Sequence, residues 1–247
     1  MKALKGFFSQ HLIALSLAGL GVLGLAGAAV ATAPIAAAAS KCTTVSCVQQ
    51  FGDQQIDARL AALDKLNGDA QGHKGLTDQQ RQAIENDVTT NENGLKALKT
   101  QLDGETDIKA ALTDVKNIYV QFRIYAVVLP RDYGEIELFF EQNIITRMTG
   151  ANQTITDLIQ KAQQKGDDVT QLQALQTDYN AKLADATTNT NNAQALIPSL
   201  TPANYPGTDT TLKTYRTDLK NARQDIAAAA QDLHQMLVIL KQDLGNS

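Results

Sequence analysis

The chain has 247 residues, with 22 Lys and Arg against 26 Asp and Glu and a formal charge of −4. That balance lacks the basic footprint of a general nucleic-acid binder. With 3 His, 2 Cys and no Trp, the composition also argues against histidine-rich metal centres and tryptophan-lined sugar clefts.

Residues 1–39 read as an export signal. Lys2 and Lys5 give the positive start, Leu12 to Leu25 an uncharged apolar run, and Ala37-Ala38-Ala39 an A-x-A cleavage site. The rival reading is an uncleaved membrane anchor using residues 12–35, because about 20 apolar residues suffice to span a bilayer. Either way the remainder, residues 40–247, is expected to be exported to the cell envelope or beyond as a single elongated helical domain. Cys42 and Cys47 follow directly, and an oxidising compartment makes a local disulfide the default expectation. Lys41 stands where a lipoprotein signal has a small residue, which disfavours lipidation of Cys42.

The fold class is expected to be all-α: an elongated antiparallel bundle or set of coiled-coil hairpins, about six helices after the N-terminal signal helix. The first helix should run from Thr44 to Leu66, on Val48, Phe51, Ile56, Leu60 and Leu63, and break at Asn67-Gly68. Thr77 and Gln80 form a capping box for the second. Its seam is Ile84, Val88, Leu95, Leu98 and Leu102, with Asn91 in the remaining heptad position. Gly104 should end it and Thr106 cap the third, whose seam runs Ile108, Leu112, Val115, Tyr119, Phe122, Ala126 and Leu129 without a slip.

From Ile118 the apolar residues spread all round, and six of the twelve aromatic residues lie between Ile118 and Phe140. This stretch is expected to be a buried corner built from Tyr119, Phe122, Arg123, Tyr125, Pro130, Phe139 and Phe140. Helix is favoured over a short strand from Arg123 to Leu129. Pro130 should stop the third helix, and Asp132 with Glu135 should cap the fourth. The fourth then runs to about Lys165 and closes at Gly166. The fifth runs from Val169 to Ile197, with a weak Thr/Asn stretch at Thr187 to Asn192. A proline-rich loop follows, and the last helix spans Asp209 to Leu244.

Chemistry is hard to place on this pattern. No H-E-x-x-H, G-x-S-x-G or phosphate-loop motif is present. Asn67, Asp69, Gln71, Gly72 and Asp78 fall at calcium-loop positions, but Asn67 opens the loop and the closing Glu is missing. We therefore expect no catalytic residue, no cofactor and no metal. Arg123 is the one charge set deep in apolar sequence. Its expected partner is Glu135, Glu137 or Glu141, and anion binding is the sharper alternative.

From Tyr119 to Pro130 the pattern Y-x-x-F-R-I-Y-x-x-x-L-P resembles one in uncharacterised exported helical proteins of bacteria. The likeness covers about Thr106 to Phe140. It implies a bacterial envelope setting and a fold role for Arg123 and Pro130, with no activity to carry over. The expected function is that of a non-enzymatic scaffold or protein-interaction module, acting on a protein partner or by self-association. It touches neither nucleic acid nor membrane, except through an uncleaved N-terminal segment. A membrane-active protein that inserts the apolar corner, and a carrier of apolar ligands, are the alternatives.

Overall fold

The computed structural model describes residues 41–245. The expected signal or anchor lies outside them. Among the described residues the regular elements are all helical, with no strand. We label the α-helices α1 (Val45–Gly72), α2 (Asp78–Asp103), α3 (Ile108–Asn117), α4 (Leu129–Gln164), α5 (Thr170–Leu196) and α6 (Thr208–Gly245). Two π-helical turns, Ile118–Phe122 and Ile124–Val128, join α3 to α4, and two 3₁₀ turns lie between α5 and α6. Among the described residues no helix is long and apolar enough to cross a membrane.

The helix starts follow from local chemistry. Thr44 caps α1 by accepting from Cys47 N. Thr77 and Gln80 form the reciprocal capping box on α2. Asp107, not Thr106, caps α3, because its carboxylate accepts from both Lys109 N and Ala110 N. Gly166 adopts φ +91 after α4, a conformation a Cβ would penalise.

Two boundaries differ from expectation. α1 continues through Asn67-Gly68 to Gly72. An internal glycine costs about 1 kcal/mol, less than the roughly 1.5–3 kcal/mol gained by burying a leucine, and Leu66 and Ala70 on either side are fully buried. The calcium-position residues Asn67 to Gly72 are therefore helical and form no loop. α5 follows the expected span and runs unbroken through its weak stretch, Thr187 to Asn192, where Thr187 and Thr188 hydroxyls donate back to the carbonyls of Leu183 and Ala184. Finally, the chain direction breaks at Arg123 and not at Pro130. Pro130 sits in the first turn of α4, where its missing N–H leaves nothing unsatisfied.

Contacts divide the described residues into two compact units. The first comprises residues 41–140 and 193–217. Its core joins Ile56, Leu63, Leu66, Ile84, Leu95, Ile118, Ile124 and Ile136, with a satellite cluster of Val48, Leu102, Ala111 and Val115. The second comprises residues 141–192 and 218–245, around Ile155, Leu158, Leu172, Tyr179, Ile226, Met236 and Leu240. The division falls inside α4, α5 and α6, so no linker marks it in the sequence.

Candidate functional site

The α2 seam is as the heptads predict: its buried residues are Ile84, Val88, Leu95, Leu98 and Leu102. Asn91 is satisfied within its own helix, donating to Asp87 O and Oδ2, both at 2.9 Å. On α1 the buried stripe is Val48, Gly52, Ile56, Arg59, Leu63, Leu66 and Ala70. Those are heptad steps, and an arginine holds one of them.

Arg59 is 3% exposed, with its guanidinium 4.4 Å from the Tyr119 ring centre and 5.0 Å from that of Tyr125. Its Nη1 donates to Gln55 O at 2.7 Å and to Gln55 Oε1 at 3.3 Å, and Tyr125 OH donates to Ala58 O at 3.0 Å. Burial pulls the Arg59 pKa below its ordinary value while the two tyrosines oppose the shift. The π faces replace the carboxylate that a buried arginine usually requires.

Between Tyr119 and Tyr125 the chain turns at Arg123, whose φ 45 and ψ 40 lie in the left-handed region. It is the one non-glycine residue with positive φ in the described chain. Its carbonyl accepts from Val127 N at 2.8 Å and, five residues on, from Val128 N at 3.4 Å, the bond that opens the second π-helical turn. The α3 seam slips here. The buried set is Ala111, Val115 and Ile118, then Ile124, Val127 and Val128, while Tyr119, Phe122 and Leu129 are partly buried against the core. The spacing that predicts an uninterrupted helix is thus overturned, and π geometry absorbs the mismatch.

The expected carboxylate pairing of Arg123 does not form. Its guanidinium lies 3.8 Å from the Tyr205 ring centre, and its Nε is buried without a hydrogen-bond partner. The carboxylates gather instead around Arg131, one residue after Pro130. Arg131 Nε donates to Asp132 Oδ1 at 2.6 Å, Nη1 to Leu200 O at 3.3 Å, and Nη2 to Asp87 Oδ2. Burial works against the Arg131 charge, but Asp132, Asp87 and Glu135 outweigh it and hold its pKa above the ordinary value. Asp132 is fully buried, which pushes its carboxyl well above the carboxylate range despite Arg131. Burial raises Glu135 to about 7, against the pull of Arg131. Asp132 therefore serves this ion-pair cluster and not a capping box with Glu135. The cluster ties α2, α4 and the loop carbonyl of Leu200 together.

The remaining corner residues pack. Phe122 and Phe139 lie partly buried against the first unit's core, and Phe140 meets His73 edge-on with ring centres 5.0 Å apart. Tyr133 OH donates to Asp69 Oδ2 at 2.9 Å. Cys42 and Cys47 are disulfide-bonded, with Cα atoms 5.4 Å apart. Among the described residues no group of three or more His, Cys, Asp or Glu is placed to hold a metal ion.

Sequence reasoning reaches Arg123 but misses Arg59, Arg131 and Tyr205. Arg59 was legible from register, since steps of three and four from Ile56 to Leu63 pass through it. Tyr205 was not, because its approach to Arg123 spans 82 residues of chain. Comparison with family models, with curated proteins and with solved structures finds no match.

Proposed function

We propose that the chain is an exported bacterial cell-envelope protein that works as a non-enzymatic helical scaffold or protein-interaction module. Its helices would pair as antiparallel coiled-coil hairpins within each unit. The observation that carries this reading is the state of its strongest polar cluster. Arg131, Asp132 and Asp87 spend their charges on one another and on the Leu200 carbonyl, so this cluster serves packing, which supports the scaffold reading. Recognition by such a fold uses exposed helix faces.

Site-specific photocrosslinking tests it, with the probe at Asn93 or Ala97 on the exposed face of α2, followed by fractionation of the native cells. The expected result is a discrete adduct, to another protein or to a second copy, in the envelope fraction. Recovery of the chain in the cytosol, or probes that yield no adduct, would contradict the proposal.

A further inference from the structure

We propose that Arg123, backed by the Tyr205 ring, is the receptor for a single oxyanion: one carboxylate or phosphate group. This rests on the geometry of the corner and not on the scaffold role proposed above.

Three observations converge on this residue. First, its backbone is in the left-handed region, which costs an L-residue with a Cβ roughly 1–2 kcal/mol, and neither of the adjoining π-helical turns needs a guanidinium there. Strain of this kind is stored where a side chain must be presented in a fixed direction. Second, the guanidinium has no carboxylate or hydrogen-bonding partner among the described residues, and its Nε is buried. The other two arginines of this corner are occupied: Arg59 donates to Gln55 between two tyrosines, and Arg131 holds Asp132 and Asp87. Third, the Tyr205 ring covers the guanidinium from one side, with its centre 3.8 Å from the guanidinium carbon. A planar donor fork seated over a ring, half-buried and with no carboxylate beside it, is preorganised for bidentate contact with an oxyanion.

The carboxylate or phosphate could be free in solution or carried on a partner's side chain, and the test separates these sources. The full chain would be titrated with inorganic phosphate, with succinate and with a short glutamate-containing peptide, following the backbone amide resonances of Ile124 and Tyr205. A saturable shift with at least one probe is expected. The tightest binder names the source: phosphate or succinate for a free anion, the peptide for a partner's acid. Arg123→Asn, which tolerates left-handed backbone, should abolish the shift. Arg123→Lys should weaken it at least tenfold by removing the fork. Tyr205→Leu should weaken it about threefold to tenfold and keeps the test open if Arg123→Asn folds poorly. No saturable shift with any of the three probes overturns the proposal. So does a shift that survives in Arg123→Asn, or one untouched by both Arg123→Lys and Tyr205→Leu.

Discussion

The ring of Tyr215 occupies the space beside Gly134: a Cβ placed on that glycine would stand 2.3 Å from Tyr215 Cε1 and 2.9 Å from its hydroxyl oxygen. Tyr215 is fully buried, so its ring has nowhere to swing. Replacing a mid-helix glycine by alanine normally gains up to about 1 kcal/mol of helix propensity, whereas overpacking a filled core costs about 1–3 kcal/mol. The clash wins, and Gly134→Ala should lower stability by about 1–2 kcal/mol. Gly94 is the control. A Cβ there would meet Phe122 Cε1 at 2.5 Å, but Phe122 is only half-buried and can yield. Gly94→Ala should therefore cost less than Gly134→Ala, which urea unfolding of the two variants would measure.

Removal of Arg131 should be the most damaging charge substitution in the corner. It leaves Asp132 and Asp87 without their shared cation, and breaking a buried pair from one side costs about 3–5 kcal/mol. Asp132→Asn should cost clearly less than Arg131→Met. Burial already works against the Asp132 charge, and the amide oxygen can still accept from Arg131 Nε. Denaturant midpoints of the two variants and of the double variant check both the order and the coupling.

Stability should fall as pH rises above the ordinary carboxylate range. Burial raises Glu135 to about 7 and Glu141 to about 8, from an ordinary 4.5. Glu141 is fully buried, with Arg223 Nε 3.5 Å away and no hydrogen bond to either carboxylate oxygen. The folded chain thus keeps protons that the unfolded chain releases. That contribution is complete below about pH 4.5 and is lost as pH climbs through 7 and 8. Glu141→Gln should flatten the dependence and raise the melting temperature at pH 9, with little change at pH 5. Thermal melts across that range provide the measurement, and a native curve that rises from pH 5 to 9 would contradict the assignment.

The Cys42–Cys47 disulfide should matter only at the start of α1. It closes a loop of sequence separation 5, so it removes little chain entropy from the unfolded state. Reduction should speed amide exchange around Val45 to Val48 and leave the exchange of Leu95 and Leu98 unchanged.

What could be read beforehand was whatever repeats locally. The α2 seam and its capping box depend on residues three and four apart, and both stand in the sequence as they stand in the fold. The corner resisted for a different reason. A seam that changes register looks continuous when half-buried Tyr119 and Phe122 are counted with the core, and Pro130 draws attention to itself although the left-handed residue is Arg123. Long-range partners were beyond reach. Neither Asp87 for Arg131 nor Tyr205 for Arg123 leaves a mark in local spacing, so a lone arginine in apolar sequence suggested the nearest glutamates.

Two helical runs meet at a left-handed arginine set between two π-helical turns, and the proline falls in the first turn of the next helix. Backbone chemical shifts and amide–α-proton couplings from Ile118 to Leu129 test this most directly. Helical values are expected on both sides, with a positive-φ signature at Arg123 alone and helical values again through Pro130. Uninterrupted α-helical values up to Leu129, or extended values from Arg123 to Leu129, would contradict it.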